Sequence, residues 1–358
     1  MEMCLTRDRS NVTPGVREMA CRLNNDAASF RRAAENLERT AQIKMSDEQL
    51  RLLVEVDGAR VIAAQQNDLI PVAFTARDCT VPDDKKKTRM YVGIDGVMVP
   101  LITDAEKKKR RGKVVQKRRI AEQAGKRLRP LSKYRPGADQ SFKEFKTITF
   151  YDELNKHRHI VLSRARRTKA SPILRREAER LNFGKADERI ANVDGASWIP
   201  GQLEDAELRL HGMGLDFYHL SENIHKARRC VYGEDDAAGM AWATECLHRF
   251  KHEKYESVYD ELLKWQVGLR GRKRAAATKL LNYVVERRDM ISYPEFIDKG
   301  WQIGSGPTEA RCKTSTSRLK RSGQRWDGRN AERVAALTNL RDSGQWETYW
   351  ATPAPRST

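Results

Sequence analysis

The stretch MYVGIDG, residues 90–96, is an apolar run that ends in an acid and a glycine. It predicts a buried strand over residues 90–99 with Asp95 as the acid at its exit. The stretch ANVDGASWI, residues 191–199, has the same form, and a predicted strand over residues 188–194 carries Asp194. For either motif alone, the alternative is an Asp-Gly pair that only forms a turn after a strand.

A third acid lies in the stretch IGSGPTEARCK, residues 303–313. The sequence predicts a helix from Pro307 to about Lys320, with Ser305 as its N-cap and Glu309 one turn in. The alternative is a capped helix without a further role. Two strand-end aspartates and one helical glutamate could converge on a single cleft. Such a cluster of oxygen ligands is what a pair of Mg²⁺ ions about 3.5–4 Å apart requires.

Length and composition limit the classes of function. The chain has 358 residues, of which 39% are hydrophobic and 33% charged, and its net charge of +19 favours a polyanionic partner such as nucleic acid. No apolar run approaches the ~18 residues of a membrane span, and the N-terminus lacks the apolar core of a signal peptide, so we expect a cytoplasmic protein. The six cysteines are scattered, which supports neither a disulfide framework nor a zinc finger.

The N-terminal segment, residues 1–67, is predicted to be helical. Apolar periodicity indicates three helices within residues 12–67, and Ser46 can cap the third. Three short helices suit a helix-turn-helix whose last helix enters the major groove of DNA. The alternative is a helical bundle that only packs on the core, and the sparse basic residues of the third helix, Arg51 and Arg60, leave both open.

The remaining chain divides into a linker, an α/β core and a helical insertion. Further strands are predicted over residues 142–151, 159–163 and 215–219, and a helix over residues 171–182. A last amphipathic helix is predicted over residues 330–350. The predicted divisions are a linker at 68–89, a core at 90–234 with a basic insertion at 101–141, a helical insertion at 235–292, the rest of the core at 293–350, and a tail at 351–358.

A basic segment follows the first predicted strand of the core. Of the 27 residues from Lys107 to Lys133, 13 are Lys or Arg. Such a segment can neutralise phosphates without reading bases, although a charge run can also be only a solvated face. The predicted DNA-binding residues here and around the Glu309 helix are Lys107, Lys108, Lys109, Arg110, Arg111, Lys113, Lys117, Arg118, Arg119, Arg311, Lys313, Arg318, Lys320 and Arg321.

Six stretches together resemble a known family. They are YVGIDGVMVPL (91–101), KEFKTITFYDE (143–153), VDGASWI (193–199), LDFYHLSENIHKARR (215–229), YPEF followed by GWQIGSGPTEARCK (293–313), and RLKRSGQRWD (318–327). In this order, over roughly residues 12–350, the chain resembles the DDE transposases of bacterial insertion sequences, specifically the Kra group (ISKra-type). The resemblance implies an RNase H-like mixed sheet core flanked by helices, with an acidic triad at Asp95, Asp194 and Glu309.

The resemblance also implies the chemistry and the partners. The triad would bind two Mg²⁺ ions, for which Mn²⁺ can substitute, and would support strand cleavage and 3′-hydroxyl strand transfer. The wider group has a D-x-x-H motif, here Asp216 and His219, near the active site; alternatively Asp216 caps a turn and His219 packs on the sheet. The implied partners are the inverted-repeat ends of the element, target DNA and a second copy of the chain, in the bacterial nucleoid.

Two other functions remain open from the sequence. An RNase H-like nuclease, such as a junction resolvase, would use the same metal chemistry without strand transfer. A non-catalytic DNA-binding relative of a transposase would retain the charge without the reaction. Retention of all three acids in the family's order argues against this second alternative.

Overall fold

The computed structural model describes residues 12–128, 130–164 and 170–351. Three helices begin it, as the periodicity predicted: α1 (Pro14–Asp26), α2 (Phe30–Ala41) and α3 (Asp47–Gln66). Hydroxyl groups of Thr13 and Ser29 accept hydrogen bonds from the first turns of α1 and α2. Ser46 caps α3 in a reciprocal pair with Gln49, which confirms the predicted cap.

Six strands form one mixed sheet. They are β1 (Thr80–Val81), β2 (Asp84–Pro100), β3 (Phe142–Asp152), β4 (Arg158–Ser163), β5 (Glu188–Val193) and β6 (Gly212–Leu215). The order is β4-β3-β2-β5-β6, and β1 pairs with β2. The pairs β1–β2, β2–β3 and β3–β4 are antiparallel, whereas β5 is parallel to both β2 and β6. The fold is therefore mixed α/β, with helices on both sides of the sheet.

Two predicted strand boundaries are wrong. Strand β2 begins at Asp84, inside the segment predicted as a linker, and continues to Pro100, so Asp95 lies within the strand and not at its exit. Pairing of β2 with β5 ends at Val92, so β5 does not pair with β2 at Asp95. Strand β6 ends at Leu215, and the predicted strand residues 216–219 instead begin the next helix.

Alternate residues of β2 enter two different cores, because successive side chains of a strand point to opposite faces. Met90, Val92 and Ile94 belong to the first core, and Val97 and Val99 to the second. Six helices between residues 171 and 285 contribute to the first core: α5 (Ser171–Arg180), α6 (Ile199–Asp205), α7 (Phe217–Tyr232), α8 (Ala237–His252), α9 (Tyr255–Gln266) and α10 (Gly271–Val285). The last three confirm the helices predicted over residues 235–292.

The second core joins the N-terminal helices to the C-terminal ones. The latter are α12 (Gly306–Ser317), α13 (Gly328–Asp342) and α14 (Trp346–Ala351), whereas α11 (Tyr293–Asp298) places Tyr293 in the first core. The single helix predicted over residues 330–350 is wrong, because a turn with Gly344 at φ 68° separates α13 from α14. Helix α3 packs so closely on α13 that an added Cβ at Gly58 would lie 2.3 Å from the Arg333 carbonyl oxygen.

The basic residues of α3 form ion pairs within their own helix. Arg51 pairs with Glu48 and Glu55, and Arg60 pairs with Asp57. One face of α3 also packs on α13. Ion-paired arginines and a packed face are what we expect if the N-terminal helices form a bundle that only packs on the core. Base reading by α3 remains a prediction.

The first part of the basic segment lies in a helix, α4 (Asp104–Gln123), none of whose residues is buried. Two contacts fix the first turn of α4. Tyr134 donates a hydrogen bond to Asp104, and Lys107 forms an ion pair of 2.5 Å with Asp327. In the part of the chain that the structure describes, no helix has the length and apolarity to cross a membrane. The predicted tail lies outside the described residues from position 352 onward.

Candidate active site

Helix α12 crosses β2 at Gly93. An added Cβ there would lie 1.8 Å from Thr308 Oγ1, so only a glycine leaves room for the helix. Glu309 follows Thr308, and one turn later Cys312 Sγ donates a hydrogen bond to Asp95 Oδ2 over 3.2 Å. This crossing therefore brings the helix of the predicted third acid onto the strand of the first.

Asp95 is half-buried and has little positive charge to balance it. Burial raises the pKa of Asp95, and the charge of Asp194 raises it further, against the opposing effect of the hydrogen bond from Cys312. Burial and the charge of Asp95 also raise the pKa of the Cys312 thiol, which therefore stays protonated at neutral pH and acts as the donor. A cation bound beside Asp95 would therefore stabilise its ionised form.

Asp194 directly follows β5, as predicted, and begins a tight turn. Its Oδ1 accepts a hydrogen bond of 2.8 Å from the Ala196 backbone N–H. Gly195 between them has φ 81°, a conformation that favours glycine. The charge of Asp194 raises the pKa of both Asp95 and His219, so its carboxylate is within electrostatic range of each.

Asp216, His219 and Glu309 form a close group. His219 Nδ1 lies 2.7 Å from Asp216 Oδ2 and 3.6 Å from Glu309 Oε1. Asp216 Oδ1 accepts hydrogen bonds from the backbone N–H of Ser305 at 3.0 Å and of Tyr218 at 3.4 Å. Asp216 thus caps α7 and also fixes the segment that leads into α12.

The charges of this group are coupled. The hydrogen bond to Asp216 raises the pKa of His219, and the charges of Glu309 and Asp194 add to the shift. Although burial opposes it, hydrogen bonds from His219 and Ser305 lower the pKa of Asp216. Burial and the charge of Asp216 raise the pKa of Glu309. The imidazole therefore favours its protonated form between two carboxylates.

This close group differs from the predicted triad. Ligand atoms of Asp216, His219 and Glu309 all lie within 4.8 Å of one another, the one such group of three among the described residues. Asp95 and Asp194 border it without belonging to it. Ser305 precedes α12 as predicted, but its hydroxyl does not cap the helix and instead donates to Glu309 Oε1 at 3.5 Å.

The donor set fits a divalent cation with oxygen ligands. Among the residues described, no lysine or arginine forms an ion pair with Asp95, Asp194 or Glu309, and His219 Nδ1 is the nitrogen that lies beside Glu309 Oε1. Each carboxylate has more acceptor positions than its present hydrogen bonds use. Mg²⁺ prefers such hard oxygen donors. The three predicted acids would hold it, and His219, when protonated, would compete with it for Glu309.

Most of the predicted DNA-binding residues are accessible, and one is not. Lys109, Lys113 and Lys117 are exposed along one side of α4, and Lys313, Lys320 and Arg321 are exposed at α12 and beyond it. Lys107, Lys108 and Arg110 are already paired with acids, Arg111 donates to the Ser132 carbonyl oxygen, Arg118 has an internal interaction, and Arg311 is half-buried.

The prediction that Arg318 binds DNA is wrong. Its side chain is buried, and its guanidinium lies 4.8 Å from the Phe30 ring centroid and 5.2 Å from that of Trp326. It also donates to the Ala28 carbonyl oxygen and Gln324 Oε1. Arg318 therefore joins the N-terminal helices to the segment after α12, because its planar cation can stack on aromatic rings.

Sequence reasoning missed two residues at this site. Cys312 lies three positions after Glu309, so helical spacing alone places it on nearly the same side of α12. Arg287 donates from Nε to the Gly195 carbonyl oxygen at 2.9 Å, across 92 positions of the chain. No local pattern in the sequence marks a contact of that separation.

Comparisons with known proteins do not identify a family for this chain, so its function must be argued from the residues of the site. No protein-family model matches the chain, and no curated protein matches it.

Proposed function

We propose that this chain is a DNA transposase of the DDE type with an RNase H-like catalytic core. The observation that carries the proposal is the meeting of four acids and a histidine where β2, β5, β6 and α12 come together. The order of the core elements supports it, since three antiparallel strands and a helix precede the parallel strand that leads into Asp194.

Asp95, Asp194 and Glu309 are the proposed metal ligands. Bound Mg²⁺ would supply activation of the attacking water or 3′-hydroxyl and stabilisation of the leaving 3′-oxygen. The chain itself arranges the ligands: Cys312 orients Asp95, the Gly195 turn orients Asp194, and Asp216 fixes the orientation of His219 beside Glu309. No protein nucleophile is required, so cleavage and strand transfer can use one site.

Exposed cations supply the proposed path for DNA. They lie on α4 and at Lys313, Lys320 and Arg321. A further groove of about 740 Å³ runs along α10, with Arg274 and Lys279 in its lining, and ends at Arg287 beside the Asp194 turn. The proposed partners are the inverted-repeat ends of an insertion sequence, target DNA in the bacterial nucleoid and a second copy of the chain.

A strand-joining assay tests this function. The purified chain is mixed with the flanking repeats of its own genomic copy, pre-cleaved to expose 3′-hydroxyl ends, and with a target duplex. We expect joined products with Mg²⁺ or Mn²⁺, and assembly with little turnover in Ca²⁺. Cleavage without joining would indicate a nuclease or resolvase, and full activity in excess EDTA would exclude the metal mechanism.

The exposed side of α4 provides a separate prediction about DNA affinity. Lys109, Lys113 and Lys117 recur every four residues, about 6 Å apart along the helix axis. Changing all three to Gln should weaken binding to any duplex, because the variant neutralises fewer phosphates and therefore releases fewer counterions. The slope of log K against log salt should fall by about 0.9 for each phosphate that is no longer neutralised, and by up to about 2.7 for three. Fluorescence anisotropy over a salt series measures both quantities.

The matched control removes the same charge at the other end of the sheet. Lys85, Lys86 and Lys185 are exposed near the start of β2 and before β5, far along β2 from Asp95. Changing these three to Gln should leave the salt slope nearly as in the unmodified chain. An equal fall in both variants would show that net charge, and not α4, governs the affinity.

A further inference from the structure

Arg287 connects the helical insertion to the turn that carries Asp194. It lies just after α10, and only 15% of its side chain is exposed. Its Nε donates to the Gly195 carbonyl oxygen at 2.9 Å. Since Gly195 follows Asp194 directly, this hydrogen bond acts on the backbone that sets the direction of the Asp194 carboxylate.

The guanidinium is itself held in place. Its Nη1 donates to the Tyr283 carbonyl oxygen and to Glu286 Oε2, both at 3.1 Å. The group lies 4.1 Å from the centroid of the Tyr283 ring. Contacts on three sides leave the guanidinium little freedom, so the donor that faces Gly195 is fixed relative to α10.

The turn fits closely against Arg287. An added Cβ at Gly195 would lie 2.7 Å from Arg287 Nε and 2.6 Å from Leu215 Cδ1. On its other side, Asp194 Oδ1 accepts the hydrogen bond from Ala196 N–H that closes the turn. A movement of the Gly195 carbonyl must therefore move Asp194 or break that closure.

Tyr283 shows that this contact belongs to the acidic site. Burial raises its pKa to about 12, and the charges of Asp194 and Asp216 contribute to the shift. The ring that supports Arg287 is therefore within electrostatic range of two acids of the site.

We propose that Arg287 is a positioning residue that fixes the Asp194 turn and thereby sets the geometry of metal binding by Asp194. The contact of Arg287 with the turn stands without any assumption about the reaction. Its consequence for the metal rests on the proposed function. Removing a group that holds a metal ligand in its orientation commonly lowers metal affinity about 10–100-fold.

The test compares Arg287→Met with Arg287→Lys in the full chain. Met keeps an unbranched side chain as far as the position of Nε and removes all donors, whereas Lys keeps the charge but cannot donate in a planar fork to both carbonyl oxygens. We expect amide hydrogen exchange in residues 194–198 to become about tenfold faster in the Met variant and less so in the Lys variant. Titration calorimetry with Mn²⁺, without DNA, should show affinity about 10–100-fold weaker for Met.

Arg288→Gln is the matched control. Arg288 is the adjacent arginine, is exposed, pairs with Glu256 and stacks on Tyr255, and makes no contact with the turn among the interactions described. This variant should match the unmodified chain in both measurements. If the Met variant unfolds globally, the Lys variant decides the question.

Unchanged exchange at residues 194–198 in both Arg287 variants would overturn the proposal. Faster exchange with unchanged Mn²⁺ affinity would also overturn it, because the turn would then not govern the metal. If the unmodified chain binds no Mn²⁺ and cleaves no DNA, the proposed function fails, while the exchange measurement still decides whether Arg287 holds the turn.

Discussion

Changing Asp95 or Asp194 to Asn, or Glu309 to Gln, is expected to reduce DNA cleavage by several orders of magnitude while leaving the fold and DNA binding intact. Each change removes one charge with little change in volume. Because residues that act as a unit are non-additive, a double change should cost little more than a single one. Single-turnover cleavage and binding in Ca²⁺ measure the two effects separately.

The thermal stability of Asp95→Asn provides a check without activity. The pKa of Asp95 is raised by burial and by Asp194, so the ionised form is disfavoured in the folded state. An acid of this kind stabilises the fold below its unfolded pKa and loses that contribution as pH rises. At neutral pH the neutral Asn should therefore keep or raise the melting temperature.

Asp187→Asn is the matched control for Asp194→Asn. Asp187 precedes β5 at the end opposite to Asp194, and it accepts hydrogen bonds from the Thr88 backbone and hydroxyl at 2.8 Å. The amide oxygen of Asn can still accept from Thr88, so most activity should remain. An equal loss in both variants would show that the effect of Asp194 is structural.

Asp216→Asn decides between the triad and the close group. We expect a partial loss of activity, because Asp216 orients His219 and the segment before α12. Loss of Mn²⁺ binding in this variant, together with retention in Asp95→Asn, would place the metal at Asp216, His219 and Glu309. Strong cleavage by Glu309→Gln would mean that the third ligand lies elsewhere.

The largest loss of stability is expected from Glu177→Ala, on the first core and away from the candidate site. Glu177 lies on α5 with 1% of its side chain exposed. It contacts His159 Nε2 at 2.9 Å and Arg180 Nη1 at 2.8 Å, and it also pairs with Arg176. Removing the acid leaves buried polar groups without their acceptor, so the free energy of unfolding should fall by about 3–5 kcal/mol. Urea denaturation measures it.

Glu179→Ala is the control on the same helix. Glu179 is exposed two positions further on, and surface substitutions of this kind usually change stability by less than about 0.5 kcal/mol. A comparable loss in both variants would show that the buried ion pairs do not cause the effect.

The ionisation of Glu177 should also make the stability of the protein depend on pH. Although burial opposes it, the hydrogen bond from His159 and the nearby arginines lower the pKa of Glu177 from 4.5 to about 2. A lowered pKa means that the contribution is present above the unfolded value and is lost as pH falls through the folded value. The stability difference between the unmodified chain and Glu177→Gln should therefore shrink between about pH 4.5 and 2. A difference that stays constant over this range would contradict the shift.

Periodicity and caps in the sequence determined most of the elements. The three N-terminal helices, the Ser46 cap and a strand over residues 142–151, observed as Phe142–Asp152, were all predicted, because local spacing and capping groups are sufficient to specify them. The position of Asp194 was also determined locally, since the apolar run of β5 stops there. The expectation that Asp194 lies near Asp95 and Glu309 came from the family resemblance. No local pattern in the sequence specifies that residues as far apart as Asp194 and Glu309, 115 positions, lie close together.

Where the local signal was ambiguous, pairing and packing decided. Strand β2 continues past Asp95 because β3 pairs with it as far as Pro100, and the residues after Leu215 form a helix because Asp216 caps one. Arg318 has the sequence context of a DNA contact, but Phe30 and Trp326, from opposite ends of the chain, enclose it. Arg287 and Cys312 acquire their contacts with the site only when distant elements pack. Burial and long-range hydrogen bonds are properties of the packed chain, and for that reason the tertiary structure alone assigned these residues.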